Sequence, residues 1–303
     1  MARALDRHRQ HGFTLIEAVI VIMLTGVVGA MIATFIRQPI EAYVDQARRG
    51  EMSDAAEGAL RRIARELKTA LPNSVRVSPS GTYLEFLPVR AAGRYRAAPT
   101  ATGTGDWLDF SSSTDNSFDV LGPSVNVSAG DQLVIYNLGL VGADAYAGTS
   151  RRALNNSGTA LANLSYTVAG TQFPYASPSK RFHIVSTPVT YVCSPGPNGT
   201  LRRYAGYAIQ AAQPTNAAAA PLSALTGANN APLVAPIAVT APAGAPATNA
   251  VTACSFSAST SASSRNAVVT LRLTLTSGGR VGGGLAANES ITLLMQAHVE
   301  NSP

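Results

Sequence analysis

Few side chains in this sequence have the type and spacing for chemistry, and the most informative is a single carboxylate. Glu17 is the only charged residue in the 24 positions from Phe13 to Ile36. A spanning helix needs roughly 20 apolar residues, so this run is long enough to cross a bilayer. A carboxylate inside such a helix costs about 2.5–3.5 kcal/mol on insertion scales and marks a functional position by default. Glu17 stands five positions after Gly12, which closes a short leader carrying Arg3, Arg7 and Arg9. Opposite charges in a low-dielectric bundle attract strongly, and each is costly alone. No catalytic role follows for Glu17.

The remaining candidates are thinner. Asp106, Asp109, Asp115 and Asp119 cluster with Asn116 around Trp107. Oxygen ligands at such spacing could hold Ca²⁺, but the spacing is not that of an EF-hand, and a polar loop is the favoured reading. Of four histidines, His8 and His11 lie in the leader, while His183 and His298 fall in predicted strands, where packed side chains outnumber ligands. No H-E-x-x-H, G-x-S-x-G or phosphate-cradling loop is present. The sequence therefore points to no catalytic residues, no cofactor and no enzyme.

The N-terminal element must position Glu17, and three readings compete for it. A secretory signal has a shorter apolar stretch and a small-residue cleavage site, and no clear site of that kind follows here. A plain signal anchor explains the length, but neither the Gly-Phe start nor the lone acid. Gly12-Phe13-Thr14-Leu15-Ile16-Glu17 closely resembles the start of type IV prepilins. That resemblance implies cleavage after Gly12 by a prepilin peptidase and methylation of the new amine on Phe13. It implies pairing of Glu17 with the N-terminal amine of a neighbouring subunit. Its implied partners are major and minor pilins, an inner-membrane assembly platform and inner-membrane lipid. Three arginines against Asp6 in the leader keep the N-terminus cytoplasmic by the positive-inside rule, so the bulk of the chain is exported.

Composition agrees with export but does not narrow function. Net charge is +6, and +4 without the leader, whose three Arg and one Asp carry +2. An excess that small is a weak attraction for anionic partners. Cys193 and Cys254 are the only cysteines. An even pair in an exported domain favours one disulfide, with two buried free thiols as the alternative. Closing a loop of about 60 residues would contribute roughly 4 kcal/mol on the chain-entropy model.

Beyond the apolar run, charge returns: seven basic and six acidic residues lie between Arg37 and Lys68. Leu60, Ile63, Ala64, Leu67 and Leu71 form one stripe at helical period. Arg61, Arg62, Arg65, Glu66 and Lys68 occupy the opposite face. Acids interleave with these arginines at helical spacing, which favours self-pairing or contact with neighbouring subunits, and no nucleic acid is expected. Pro39 should kink the helix, Gly50 and Gly58 should weaken it, and Leu71-Pro72 should end it.

Strand patterns follow. Val75–Val77 and Tyr83–Leu87 flank a Pro-Ser-Gly turn and predict a hairpin. Leu133–Tyr136 and Phe182–Val185 are compact apolar runs, and Tyr191–Cys193 predicts pairing with Leu201–Ile209. Val269, Leu271, Leu273 and Leu275 alternate with Thr270, Arg272, Thr274 and Thr276, which reads as a half-buried strand. Ile291–Val299 reads as the last strand. From Tyr204 to Ser264 no residue is charged, and 211–250 holds 16 Ala and 6 Pro, which predicts a mostly irregular insertion.

The resulting architecture is α+β: leader 1–12, membrane or filament-core helix 13–36, amphipathic helix 37–71, and a β-rich head 72–303 interrupted at about 211–250. The head should form an antiparallel sheet that receives the helix stripe. Phe35-Ile36-Arg37-Gln38-Pro39, Tyr43, Ala59–Leu67, Leu71–Arg76 and the closing His298-Val299-Glu300-Asn301 are similar to minor pilins of the mannose-sensitive haemagglutinin (MSHA) type. That similarity implies a processed subunit of a surface-attachment pilus, held in the inner membrane with its head periplasmic until assembly exports it. A type II secretion pseudopilin shares the N-terminal features. A membrane-anchored adhesin or DNA-binding protein is the alternative of another class.

Overall fold

A computed structural model describes residues 14–168, 171–236, 249–259, 266–279 and 287–302. One helix, α1 (Leu15–Leu67), spans 53 residues, about 80 Å at 1.5 Å per residue. The strands are β1 (Arg76–Val77), β2 (Tyr83–Phe86), β3 (Val89–Tyr95), β4 (Ser117–Leu121), β5 (Val125–Val127), β6 (Gln132–Val134), β7 (Arg151–Ala153) and β8 (Gly158–Leu161). They continue as β9 (Asn163–Ser165), β10 (Arg181–Val185), β11 (Val189–Ser194), β12 (Thr200–Ala205), β13 (Asn230–Val234), β14 (Ala250–Ser259), β15 (Asn266–Gly279) and β16 (Ala287–Glu300). The expected α+β class is what the chain adopts: one long helix with an apolar first half, and a body of antiparallel sheets.

Two layers of sheet close on the helix. A five-stranded sheet, β1-β2-β11-β12-β13, and a three-stranded sheet, β14-β15-β16, share one core with it. Met52, Ala56, Leu60, Ile63 and Leu67 supply the helix side of that core, each no more than 1 % exposed. Fully burying a side chain such as Ile63 or Leu67 contributes about 1.5–3 kcal/mol. The alternation expected on β15 is met as far as Leu275: Val269, Leu271, Leu273 and Leu275 are buried and Arg272 is exposed, but Thr276, expected on the open face, is buried. The Cys193–Cys254 disulfide joins β11 to β14 and so fastens one sheet to the other. Gly199 makes this seam possible. The turn it occupies exchanges backbone hydrogen bonds with Val251, and a Cβ at 199 would overlap the Val251 carbonyl oxygen.

A second core lies under the six-stranded sheet β7-β6-β10-β3-β4-β9 and the pair β5-β8. Tyr95, Phe118, Tyr166, Phe173 and Phe182 fill it with edge-on and tilted ring contacts. Gly93 is required here, because a Cβ would come within 2.7 Å of the Phe182 ring. Leu71, Leu87, Val134, Val185 and Tyr146 form a bridging cluster.

One expectation is corrected, the end of the helix. The helix runs through Pro39, Gly50 and Gly58 as a single element. It stops at Leu67, four residues before Leu71, because the backbone turns to pair with the sheet: Leu71 N–H donates to the Leu87 carbonyl at 2.7 Å, and Val89 N–H to the Thr69 carbonyl at 2.8 Å. The Ala/Pro-rich stretch is largely irregular where described, but it is anchored. Leu222 is buried with Val192, Tyr204 and Tyr207, and Asn230–Val234 adds β13 to the edge of the five-stranded sheet. Residues 237–248 of that stretch lie outside the described residues.

Candidate assembly segment

Thr14 starts the helix. Its backbone is extended, at φ −80° and ψ 150°, and its hydroxyl oxygen accepts from the Glu17 amide at 3.4 Å. Thr and Glu at this spacing have the pattern of a capping box. The cap places Glu17 in the first turn, where a carboxylate meets the positive end of the helix dipole. Glu17 is exposed. The cleavage and methylation positions, Gly12 and Phe13, lie outside the described residues.

The next turns have no partner within the described chain. Leu15–Phe35 is a 21-residue segment of mean hydropathy 2.5 with none of its apolar window buried. Leu15, Ile22, Met23 and Phe35 are each more than 70 % exposed. An apolar cylinder of this size needs lipid or other apolar helices around it. Its two hydroxyls are satisfied locally, Thr25 donating to the Val21 carbonyl and Thr34 to the Ala30 carbonyl. The segment Leu15–Phe35 therefore presents Glu17 as its one charge.

Charge on the docked half is largely paired. Arg61 contacts Glu57 at 2.6 Å and Arg62 contacts Glu66 at 3.2 Å, the interleaving expected from the sequence. Two contacts that helical spacing could not show reach into the body: Arg203 to Glu66 at 2.8 Å, and Arg49 to Glu289. Burial raises the Glu66 carboxyl, but the guanidinium groups of Arg203 and Arg62 hold it below the usual carboxylate range. Glu85 is the opposite case. It is fully buried between Arg76 at 2.8 Å and the Tyr207 hydroxyl at 2.8 Å, and burial pushes its carboxyl up despite both partners. Arg76 also donates to the carbonyls of Gln210 and Ala211 and stacks on Tyr146, so this buried group ties the Ala/Pro-rich stretch to β1 and β2. No motif marked it. The only hints were a Glu and an Arg in the flanks of the predicted hairpin, and these turn out to be register partners.

The aspartate cluster divides into two structural pairs. Asp119 accepts from the Arg96 guanidinium and the Asp106 amide, and Asn163 bridges Asp106 and Asp119. Asp115 accepts from the Asp109 amide, and Asp109 accepts from the Ser111 amide and hydroxyl. These carboxylates are spent on holding turns. Among the described residues, no group of three or more His, Cys, Asp or Glu is gathered as a metal site. His183 and His298 lie in β10 and β16, in the strands expected for them. Burial, then the charge of Arg181, lowers His183 to about 4.

Comparison with known proteins bears on the N-terminal segment. Residues 7–33 match the family model described as the prokaryotic N-terminal methylation motif. No curated protein and no solved structure matches the chain. The motif covers the cleavage position, Phe13, Glu17 and most of the exposed apolar half, and it implies processing by a prepilin peptidase and assembly with other pilins. The N-terminal segment thus carries the prokaryotic N-terminal methylation motif, which supports the type IV prepilin and pseudopilin family.

Proposed function

We propose that this chain is a minor pilin of an MSHA-like type IV pilus, assembled into the filament or priming it, for surface attachment. The observation that carries the reading is one helix with two fates: an apolar half bearing Glu17 and no partner, continuous with a half buried in a large head. The first half is suited to lipid before assembly and to neighbouring helices afterwards. Glu17 sets the axial register by pairing with the methylated amine at Phe13 of an adjacent subunit. The head is carried outside, and the protein acts without catalysis of its own. A head of more than 200 residues favours a low-copy subunit over the main shaft protein.

The test is N-terminal sequencing and intact-mass analysis of membrane-extracted protein, from cells with and without the prepilin peptidase. Peptidase-dependent chains starting at methylated Phe13 are expected. Chains that keep residues 1–12 in both strains would overturn the reading and favour an anchored binding protein. Deletion separates the two assembly systems. Loss of surface pili and attachment is expected; loss of exported enzymes with pili intact would assign the chain to type II secretion.

A further inference from the structure

The outer face of the six-stranded sheet holds two arginines that the fold does not neutralise. Arg181 of β10 stands directly opposite Arg94 of β3 in the antiparallel register, and both are exposed. Side chains so paired have Cβ atoms about 5 Å apart, and like charges there are destabilising. Their neighbours on the chain are handled differently. Arg90 reaches Asp131 and Ser128, and Arg96 reaches Asp119. Among the described residues, no ion pair or hydrogen bond engages the guanidinium of Arg94 or Arg181.

The pair stands at the edge of a built concavity. A cleft of about 300 Å³ is lined by Arg181, His183, Lys68, Thr69 and Glu300, among others. Four elements meet there: the end of α1, the start of β3, the strand β10 and the end of β16. The carbonyls at the close of the helix would repel an anion, but they are occupied. Glu66 accepts from Thr69, Leu67 from Ala70, and Thr69 from Val89. His183 continues the face of Arg181 two residues along β10 and is held neutral at pH 7 by burial and by that arginine. A neutral imidazole can offer one N–H to a ligand without adding charge. Glu300 is the one acid of the lining, set against Lys68 and Arg181, with Arg94 alongside.

We infer that this cleft is a binding site for a tetrahedral oxyanion, a phosphate or sulfate group, held by Arg181 and Lys68 with Arg94 and His183 beside it. A dianion matches the surplus of positive charge, and its several oxygens match donor residues drawn from separate elements. The volume lies at the small end of ligand sites, so the ligand is an ion or a single phosphorylated or sulfated sugar unit. The inference is independent of the assembly role.

The test uses the full chain in neutral detergent. Binding of inorganic phosphate and of glucose 6-phosphate is followed by calorimetry and by thermal melting, against chloride at equal ionic strength. Millimolar binding is expected. Tighter binding of the ester assigns the site to a sugar-linked phosphate, and equal binding assigns it to the free ion. Arg181→Gln and Lys68→Gln should each weaken binding about tenfold or more. Arg181→Gln should also raise the melting temperature without phosphate, because it removes the like-charge pair. Arg61→Gln, on the helix face paired with Glu57, should bind as the parent does. No binding below roughly 10 mM, or equal phosphate response in the parent and in Arg94→Gln/Arg181→Gln, would overturn the site.

Discussion

Residues 15–35 and 52–67 belong to one helix and meet opposite surroundings. The first segment is apolar on all sides and unburied; the second is apolar on one stripe, and that stripe is buried against β15, β16 and β13. The difference teaches where each half draws its stability. The docked half is held by its own head, through burial and the Glu66–Arg203 contact. The free half carries only local hydrogen bonds and its Thr14 cap, so its environment must come from lipid or other subunits. A lesion in one half should therefore leave the other's observable unchanged.

The harshest trial of that contrast is a charge in each half. Ile63→Asp buries an unpaired carboxylate and should destabilise the head by more than about 3 kcal/mol, read as a large drop in melting temperature of the solubilised chain. Val27→Asp should leave the melting temperature in place and impair membrane insertion instead. Equal melting losses in both would erase the distinction. Next in size is the disulfide: Cys193→Ser with Cys254→Ser should cost about 4 kcal/mol at most by chain entropy, with insertion unaffected. A smaller effect concerns pH. Because His183 sits at about 4, below its ordinary value, the folded state favours its neutral form. Its contribution is present above about pH 6.5 and is lost as pH falls toward 4, by about 3 kcal/mol at most. Denaturant melts across that window should show the slope in the parent and in Val27→Asp, and a flatter one in His183→Gln. The smallest effects divide the two faces of the docked half. Arg203→Ala should cost about 1–2 kcal/mol, as it leaves the part-buried Glu66 with Arg62 alone, whereas exposed Arg61→Ala should stay within about 0.5 kcal/mol. A double-mutant cycle on Arg203 and Glu66 would sharpen this, and coupling no larger than for Arg61 and Glu57 would refute it.

Much of this organisation was legible where a periodic pattern met one environment. The stripe through Leu60, Ile63 and Leu67, the alternation along β15 and the hairpin around Gly81 each follow from side chains choosing a buried face. The two cysteines paired as export favours. What stayed hidden depended on distant partners. β3 contains Arg90-Ala91-Ala92-Gly93, with no large apolar alternation, and is a strand because Gly93 admits the Phe182 ring. β13 and β14 lie in a neutral, Ala-rich region whose small side chains carry little periodic signal. The helix end moved from Leu71 to Leu67 because hydrogen bonds to Leu87 and Val89 outcompeted another turn. At the assembly segment, Glu17 was evident from its isolation, while its Thr14 cap needed the backbone geometry. The aspartates read in one dimension as a polar loop, and their roles as turn-holding acceptors needed Arg96, Asn163 and Ser111 placed around them.

The unbroken run from Leu15 to Leu67 also has a mechanical meaning. Tension on the head reaches the membrane end with no loop in between, along a single column of backbone hydrogen bonds about 80 Å long. The head grips that column over Met52, Ala56, Leu60, Ile63 and Leu67, so load is shared across four turns. The Cys193–Cys254 bond yokes the two gripping sheets, and a pull on either is borne by both.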